Sequence, residues 1–130
     1  MKKQWGDEVA YLKLMMDAQE IAHLDLSGEF LCACENVPQH KLPLNLFVGE
    51  SRCVPLVEVV VWAKKRVFPK ERTDCDRLLK TMGLAEYDAW EIVRKTGACL
   101  MEDPYWLKFS DTDSFADTTR GRAKAAGFAV

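Results

Sequence analysis

The spacing of apolar residues changes near Pro55, and this change limits the folds that are open to the chain. Before it, the segment 21–26 alternates between apolar and polar residues, which is typical of a half-buried β-strand. After it, the segment 75–82 repeats apolar residues at i, i+3, i+4 and i+7, which is typical of one helical face. We therefore expect strands in the first third of the chain and helices beyond it.

Two or three antiparallel strands are predicted in that first third. Segment 9–16 is apolar and compatible with either a strand or a short helix, 21–26 alternates, and 30–34 resumes the extended pattern. Residues 38–55 are predicted to form a loop, because prolines exclude a regular helix there. Four apolar side chains are expected to pin this loop to the core: Leu42, Leu44, Leu46 and Phe47.

Three helices are predicted after the loop, over about 55–66, 71–82 and 86–95. The first is ambiguous, because its four valines favour a strand. A proline at its start, basic residues at its end and a proline shortly beyond favour the helix. Gly83 suits the end of the second helix, because glycine enters the left-handed region freely.

A single α+β domain over residues 1–117 follows, with a small antiparallel sheet packed on about three short helices and then an extended aromatic segment. With 130 residues, 48% of them hydrophobic, the chain has the material for one core. Trp62, Trp90 and Trp106 lie in apolar segments and are expected in that core rather than stacked on a ligand. Residues 118–130 are predicted to form a loosely held tail.

Charge and cysteine usage narrow the class further. The 18 basic and 20 acidic residues give a formal charge of −2, which is too balanced for a protein that coats nucleic acid. No apolar run approaches the roughly 18 residues of a membrane span. The five cysteines form no paired framework, so reduced thiols and a cytoplasmic location are expected.

An ordered set of short motifs runs through the chain. It consists of Leu42-Pro43-Leu44, then Trp62, then Arg66, Pro69 and Arg72 as R-x-x-P-x-x-R, then Met82-Gly83-Leu84, and last Asp103, Tyr105 and Trp106. In order and rough spacing the chain resembles, over about residues 11–109, the N-terminal module of HipA-like proteins of Gram-positive bacteria and their mobile elements. It departs at 97–100, Gly-Ala-Cys-Leu, where that family usually has a Gly-Leu-Ser-Leu type of loop.

The resemblance implies an accessory module without catalytic residues, because the kinase portion that follows in long family members has no matching positions here. It also implies a structural signature of Trp62, Pro69, Gly83, Tyr105 and Trp106.

Basic residues cluster around the end of the first predicted helix. The predicted partner-binding residues are Lys64, Lys65, Arg66, Lys70 and Arg72, together with Trp5 in the charged N-terminus. The favoured interpretation of the two arginines is capping of carbonyls or pairing with Glu58, Asp74 or Asp103 inside the domain, since an arginine fork commonly serves a carboxylate. Nucleic-acid contact through the Lys64 to Arg72 segment is a further alternative, and a solvated helix end is the plainer explanation.

Cysteines and histidines are candidate metal ligands. Cys32 and Cys34 lie on one face of a predicted strand and would need His23 or His40, whereas structural zinc typically takes four ligands. Buried apolar cysteines are the favoured interpretation, and no metal or cofactor is predicted. A catalytic cysteine–histidine pair would lack an orienting third group. The acidic residues Asp111, Asp113 and Asp117 lack the glycine and glutamate of a calcium loop and are predicted to be solvated.

The expected function is a non-enzymatic protein-binding module, an accessory or regulatory component of a bacterial toxin–antitoxin or mobile-element system. Its expected partner is another protein, either a kinase-like toxin or a host defence protein. The first alternative is a phage- or plasmid-encoded inhibitor of a host defence nuclease, in the manner of an anti-CRISPR protein. The second is a small enzyme that uses cysteine or histidine.

Overall fold

A computed structural model describes residues 11–128, which fold into five antiparallel strands and four α-helices. The strands are β1 (Lys13–Met16), β2 (Gln19–Leu24), β3 (Phe30–Ala33), β4 (Cys53–Pro55) and β5 (Tyr105–Lys108). The helices are α1 (Leu56–Lys64), α2 (Cys75–Met82), α3 (Ala89–Thr96) and α4 (Thr119–Ala125), with 3₁₀ turns at Gln39–Lys41 and Phe115–Asp117. The strand order is β4-β3-β2-β1-β5, and the predicted α+β class is confirmed.

One face of the sheet forms the core together with α1 and α3. Leu14 of β1 lies between its register partners Ala22 of β2 and Leu107 of β5. Leu31 of β3 is opposite Val54 of β4. All of these side chains are at most 2% exposed. The tryptophans at 62, 90 and 106 are buried as well, which confirms their expected place in the core.

Two strands extend the predicted meander at its edges. β5 is the predicted aromatic segment, and it joins the sheet by pairing with β1. β4 lies within the predicted loop 38–55, where three residues pair with β3. Strand β4 tolerates Pro55 because this residue and its register partner Phe30 form a non-hydrogen-bonded pair. In such a pair, no N–H is needed toward β3.

The helices are shorter than predicted. The predicted helix at 71–82 begins only at Cys75, because the preceding residues form turns in which the Cys75 N–H donates to the Arg72 carbonyl at 3.0 Å. Asp88 starts α3 by accepting the N–H groups of Trp90 and Glu91. Among residues 11–128, no helix has the length and apolar character that crossing a membrane requires.

A fourth helix lies in the segment 118–130, for which only a loosely held tail was predicted. Thr118 begins α4 by accepting the N–H of Gly121 at 2.9 Å. Arg120 then donates through Nε to Asp17 at 3.0 Å, with only 13% of its side chain exposed. These contacts attach α4 to the turn between β1 and β2.

Cys32 and Cys53 form a disulfide between β3 and β4. The expectation that all cysteines are reduced and unpaired is therefore wrong for these two. They are register partners with Cα atoms 4.0 Å apart, in a non-hydrogen-bonded pair, where cross-strand side chains come closest. Sequence spacing gave no sign of this pairing, because 21 residues separate the two cysteines. Cys34, Cys75 and Cys99 are free thiols.

Gly97→Ala is expected to lower the free energy of unfolding more than Gly83→Ala does. Both glycines end a helix with positive φ, 69° and 76°, which an alanine adopts at a cost of about 1–2 kcal/mol. A Cβ on Gly97 would also lie 2.8 Å from the Leu107 carbonyl oxygen, whereas one on Gly83 would meet nothing within 4 Å. Urea unfolding of both variants checks this, and equal losses would contradict the close approach of α3 to β5.

Candidate functional site

Arg66, just beyond α1, is the centre of the contacts that join this helix to β5. Its side chain is 8% exposed and forms a two-bond fork with Asp103, Nη1 to Oδ2 at 2.9 Å and Nη2 to Oδ1 at 2.7 Å. Its Nε donates to the Ala98 carbonyl and its Nη2 also to the Tyr105 carbonyl, each at 2.9 Å. The guanidinium carbon lies 4.4 Å from the ring centroid of Trp62, a cation–π contact.

The ionisation of Asp103 depends on this fork. Partial burial opposes ionisation, yet hydrogen bonds from Arg66 and from the Tyr105 N–H hold the pKa of Asp103 below its ordinary value. The carboxylate is therefore charged at neutral pH and keeps Arg66 in place.

Two further hydrogen bonds hold the loop 41–48 beside the Arg66 fork. Trp62 donates from Nε1 to the side-chain oxygen of Asn45 at 3.1 Å. The hydroxyl of Tyr105 donates to the Lys41 carbonyl at 2.8 Å. Trp62 and Tyr105, two of the predicted signature residues, lie far apart in the sequence and yet donate hydrogen bonds to the same loop.

The loop does not bury all the side chains that were expected to pin it. Leu42, Leu46 and Phe47 are buried, as predicted. Leu44 is 75% exposed, so its predicted burial is wrong. Leu44 and Asn45 are exposed in a turn between two buried pairs, Leu42–Pro43 and Leu46–Phe47. The sequence does not predict this exposure, because Leu44 is as apolar as its buried neighbours Leu42 and Leu46.

Leu44, Val48 and Val61 are all exposed apolar side chains, with Val48 72% and Val61 49% exposed. They border two adjoining clefts that share Asn45. One cleft of about 390 Å³ is lined by Leu44, Arg66 and Asp103 among others, and one of about 290 Å³ by Val48, Val61 and Lys65 among others. We call Leu44, Asn45, Val48, Val61 and Lys65 the loop–helix face.

The predicted partner-binding residues lie in different surroundings. Lys64, Lys65 and Lys70 are exposed, and Lys65 lines a cleft of the loop–helix face. Arg72 is exposed and donates to Asp74 at 2.6 Å, while Arg66 is enclosed by its fork. Both arginines therefore have carboxylate partners within the domain, and their contact with a partner protein stays a prediction.

Pro69 is exposed in the turn between α1 and α2. Trp5 lies outside the described residues.

Of the candidate metal ligands in the sequence, His23 and Cys34 come together, with Sγ 3.7 Å from Nδ1. Glu20, which no sequence pattern indicates, joins them with Oε2 3.0 Å from the same nitrogen. Cys32 is instead bonded in the disulfide, and His40 borders the larger cleft of the loop–helix face.

Two pKa shifts describe this cluster. Burial, and then the negative charge of Glu20, raises the pKa of the Cys34 thiol, which is the reverse of what an activated nucleophile needs. Burial works against ionisation of Glu20, but hydrogen bonds from Lys13 and His23 bring the pKa of Glu20 below its usual value.

The aspartates near the C-terminus bond to their own surroundings. Asp111 accepts from the Tyr11 hydroxyl, Asp113 from the Phe109 N–H and Asp117 from the Ser114 hydroxyl, at 2.7, 2.9 and 3.0 Å. The contacts of Asp113 and Asp117 stabilise local turns, whereas the bond of Asp111 joins this segment to Tyr11, 100 residues earlier in the chain.

Comparison of the chain with models of known protein families, with curated proteins and with solved structures finds no match. The fold and the site define an α+β domain with a rigidly held loop beside its first helix.

Replacement of Arg66 by alanine is expected to lower the free energy of unfolding by about 2–3 kcal/mol, because Asp103 and two carbonyls lose a charged donor. Arg66→Lys is expected to recover only part of this loss, since an ammonium cannot form the two-bond fork. Arg72→Ala is the matched control, because its pair with Asp74 is exposed and contributes little. Urea unfolding measures all three, and an Arg66→Ala loss no larger than the control would refute the central role of the fork.

The stability contribution of Asp103 is expected to depend on pH. Its pKa is lower in the folded chain than in the unfolded one, so the contribution is complete above the ordinary carboxyl pKa of about 3.9 and disappears as the pH falls through the folded value. Asp103→Asn is therefore expected to be less stable than the parent at neutral pH, with a difference that narrows in acid. Unfolding free energies from about pH 7 to about pH 3 test this, and a constant difference would contradict it.

Proposed function

We propose that the chain is a protein-binding module whose loop–helix face receives an apolar and acidic segment of a partner protein. The observation that carries the proposal is the exposure of Leu44, Val48 and Val61 around two adjoining clefts. Single exposed apolar side chains are normal on proteins, but several of them around adjoining clefts are typical of a contact surface. Apolar side chains of the partner would fill the clefts and remove this surface from water.

The face is held rigid before any partner arrives. Trp62 and Tyr105 fix the loop from two sides, and the Arg66 fork holds both the helix end and the strand that carry them. Preorganisation of this kind lowers the entropy that binding costs. It favours a module that acts by occupancy, holding its partner in or out of an active form.

Charge favours an acidic partner segment. Lys64 and Lys65 are exposed at the end of α1, and Lys65 lines the smaller cleft. Glu58 lines the same cleft, so the cleft carries both a positive and a negative side chain. We therefore assign affinity to the apolar contacts and orientation to the lysines, which is the usual division between the two kinds of interaction.

The HipA-like resemblance adds a partner class to the proposal. A kinase-like protein of a toxin–antitoxin or mobile-element system is the partner it implies. A cytoplasmic location belongs to the same proposal.

Affinity capture with matched variants tests the proposal. The chain is immobilised as the parent, as Leu44→Asp/Val61→Asp, and as Leu26→Asp, and each is exposed to lysate of the source cells, with nuclease treatment as a control for nucleic acid. Leu26 is exposed in the β2–β3 turn and lines neither cleft. A protein retained by the parent and by Leu26→Asp should be lost from the double variant. With that purified partner, calorimetry should show affinity at least about 30-fold weaker for the double variant.

Two results would overturn the proposal. One is equal retention of every captured protein by the parent and the double variant. The other is recovery of nucleic acid alone, which would support contact through the Lys64 to Arg72 segment instead.

A further inference from the structure

Three side chains on the sheet surface bring metal-ligand atoms together. Glu20 and His23 come from β2, and Cys34 follows β3. The His23 Nδ1 lies 3.0 Å from Glu20 Oε2 and 3.7 Å from Cys34 Sγ, and the last two atoms are 3.8 Å apart. Within residues 11–128, this is the one group of at least three such side chains whose ligand atoms all lie within 4.8 Å of one another.

A β-bulge in β2 places two of these side chains on the same face. Residues three apart on a regular strand, such as Glu20 and His23, face opposite sides of the sheet. Here the register against β1 shifts between Ala22 and Glu20, so that Ile21 is an extra residue. One extra residue reverses the alternation and brings the carboxylate beside the imidazole. This is why the sequence alternation alone did not reveal the cluster.

Cys34 is also fixed, although it follows the last residue of β3. Its N–H donates to the Ile21 carbonyl at 2.9 Å. Its own carbonyl accepts from the Val37 N–H at 3.0 Å and from Arg52 at 2.8 Å. The backbone therefore aims the thiol at the gap between the other two side chains.

The arrangement does not suit a catalytic triad. In a triad, one imidazole nitrogen serves the nucleophile and the other serves the orienting carboxylate. Here both Glu20 and Cys34 approach the same nitrogen of His23. Three ligand-type atoms that converge on one point are instead what a bound cation requires, once it displaces the protons of the thiol and the imidazole nitrogen.

The distances fit tetrahedral coordination. With metal–ligand bonds of about 2.0–2.3 Å, ligand atoms in a tetrahedron lie about 3.3–3.6 Å apart. The separations of 3.0, 3.7 and 3.8 Å need only small side-chain adjustments to reach this spacing.

We propose that Glu20, His23 and Cys34 form a site for a thiophilic divalent cation of the Zn²⁺ type. Thiolate and imidazole ligands select such ions over Mg²⁺ and Ca²⁺. Three protein ligands leave a fourth position for water or for a ligand from a partner. Lys13 bonds the other oxygen of Glu20, Oε1, at 2.9 Å, and so orients the carboxylate while leaving Oε2 facing the site.

Metal titration of the full chain without a histidine tag tests the site. Zn²⁺ is followed by calorimetry, and Co²⁺ by its thiolate-to-metal charge-transfer absorption. One equivalent of metal is expected to bind. Cys34→Ser should abolish the charge-transfer band. Both Cys34→Ser and His23→Gln should weaken Zn²⁺ binding more than loss of a residue that only supports a ligand, which weakens metal binding about 10–100-fold. Circular dichroism of each variant confirms that the fold is intact.

Matched variants keep the proposal falsifiable. Cys99→Ser changes a free thiol outside the cluster and should leave binding unchanged. The double variant Cys32→Ser/Cys53→Ser, which removes the neighbouring disulfide, should also still bind one equivalent. Failure of the parent to bind either metal, equal weakening by Cys99→Ser and Cys34→Ser, or loss of binding in the folded double variant would each overturn the three-residue site.

Discussion

The fork between Arg66 and Asp103 is the interaction on which the rest of the arrangement depends. It connects the end of α1 to the segment that leads into β5, and these two regions are 37 residues apart in the chain. One guanidinium satisfies the carboxylate and two backbone carbonyls that would otherwise lack a charged donor. The fork adds to the β1–β5 pairing that holds β5 at the sheet edge, and to the hydrogen bonds from Trp62 and Tyr105 that hold the loop beside α1.

The fork also explains why a lysine at position 66, which would keep the positive charge, would not replace the arginine. Arg66 is packed against Trp62, so its flat group must fit between a ring and a carboxylate. A planar fork satisfies both contacts, whereas a point charge satisfies only one. The same Trp62 reaches Asn45, so the energetics of the fork and the shape of the loop are coupled through a single indole ring.

Much of the fold follows from local patterns, and little of the candidate site does. The helices and the β2–β3 pair are set by apolar spacing, and Gly83 ends α2 as its conformational freedom predicts. Pairing of Arg66 with Asp103 was among the predicted alternatives. The exposure of Leu44 and the cluster at Glu20 depend on long-range register and on a bulge. Neither leaves a periodic signal, because each arises from where distant segments meet.

The two edges of the sheet restrict how another chain can associate with it. On β4, Cys53 and Pro55 direct their backbone groups outward, because both are in non-hydrogen-bonded pairs with β3. Proline has no N–H to offer, and the outward carbonyl of Cys53 already accepts the Ser51 hydroxyl at 2.8 Å. β5 at the other edge has only four residues. Addition of a strand from another chain is therefore disfavoured at both edges, and so is edge-to-edge aggregation.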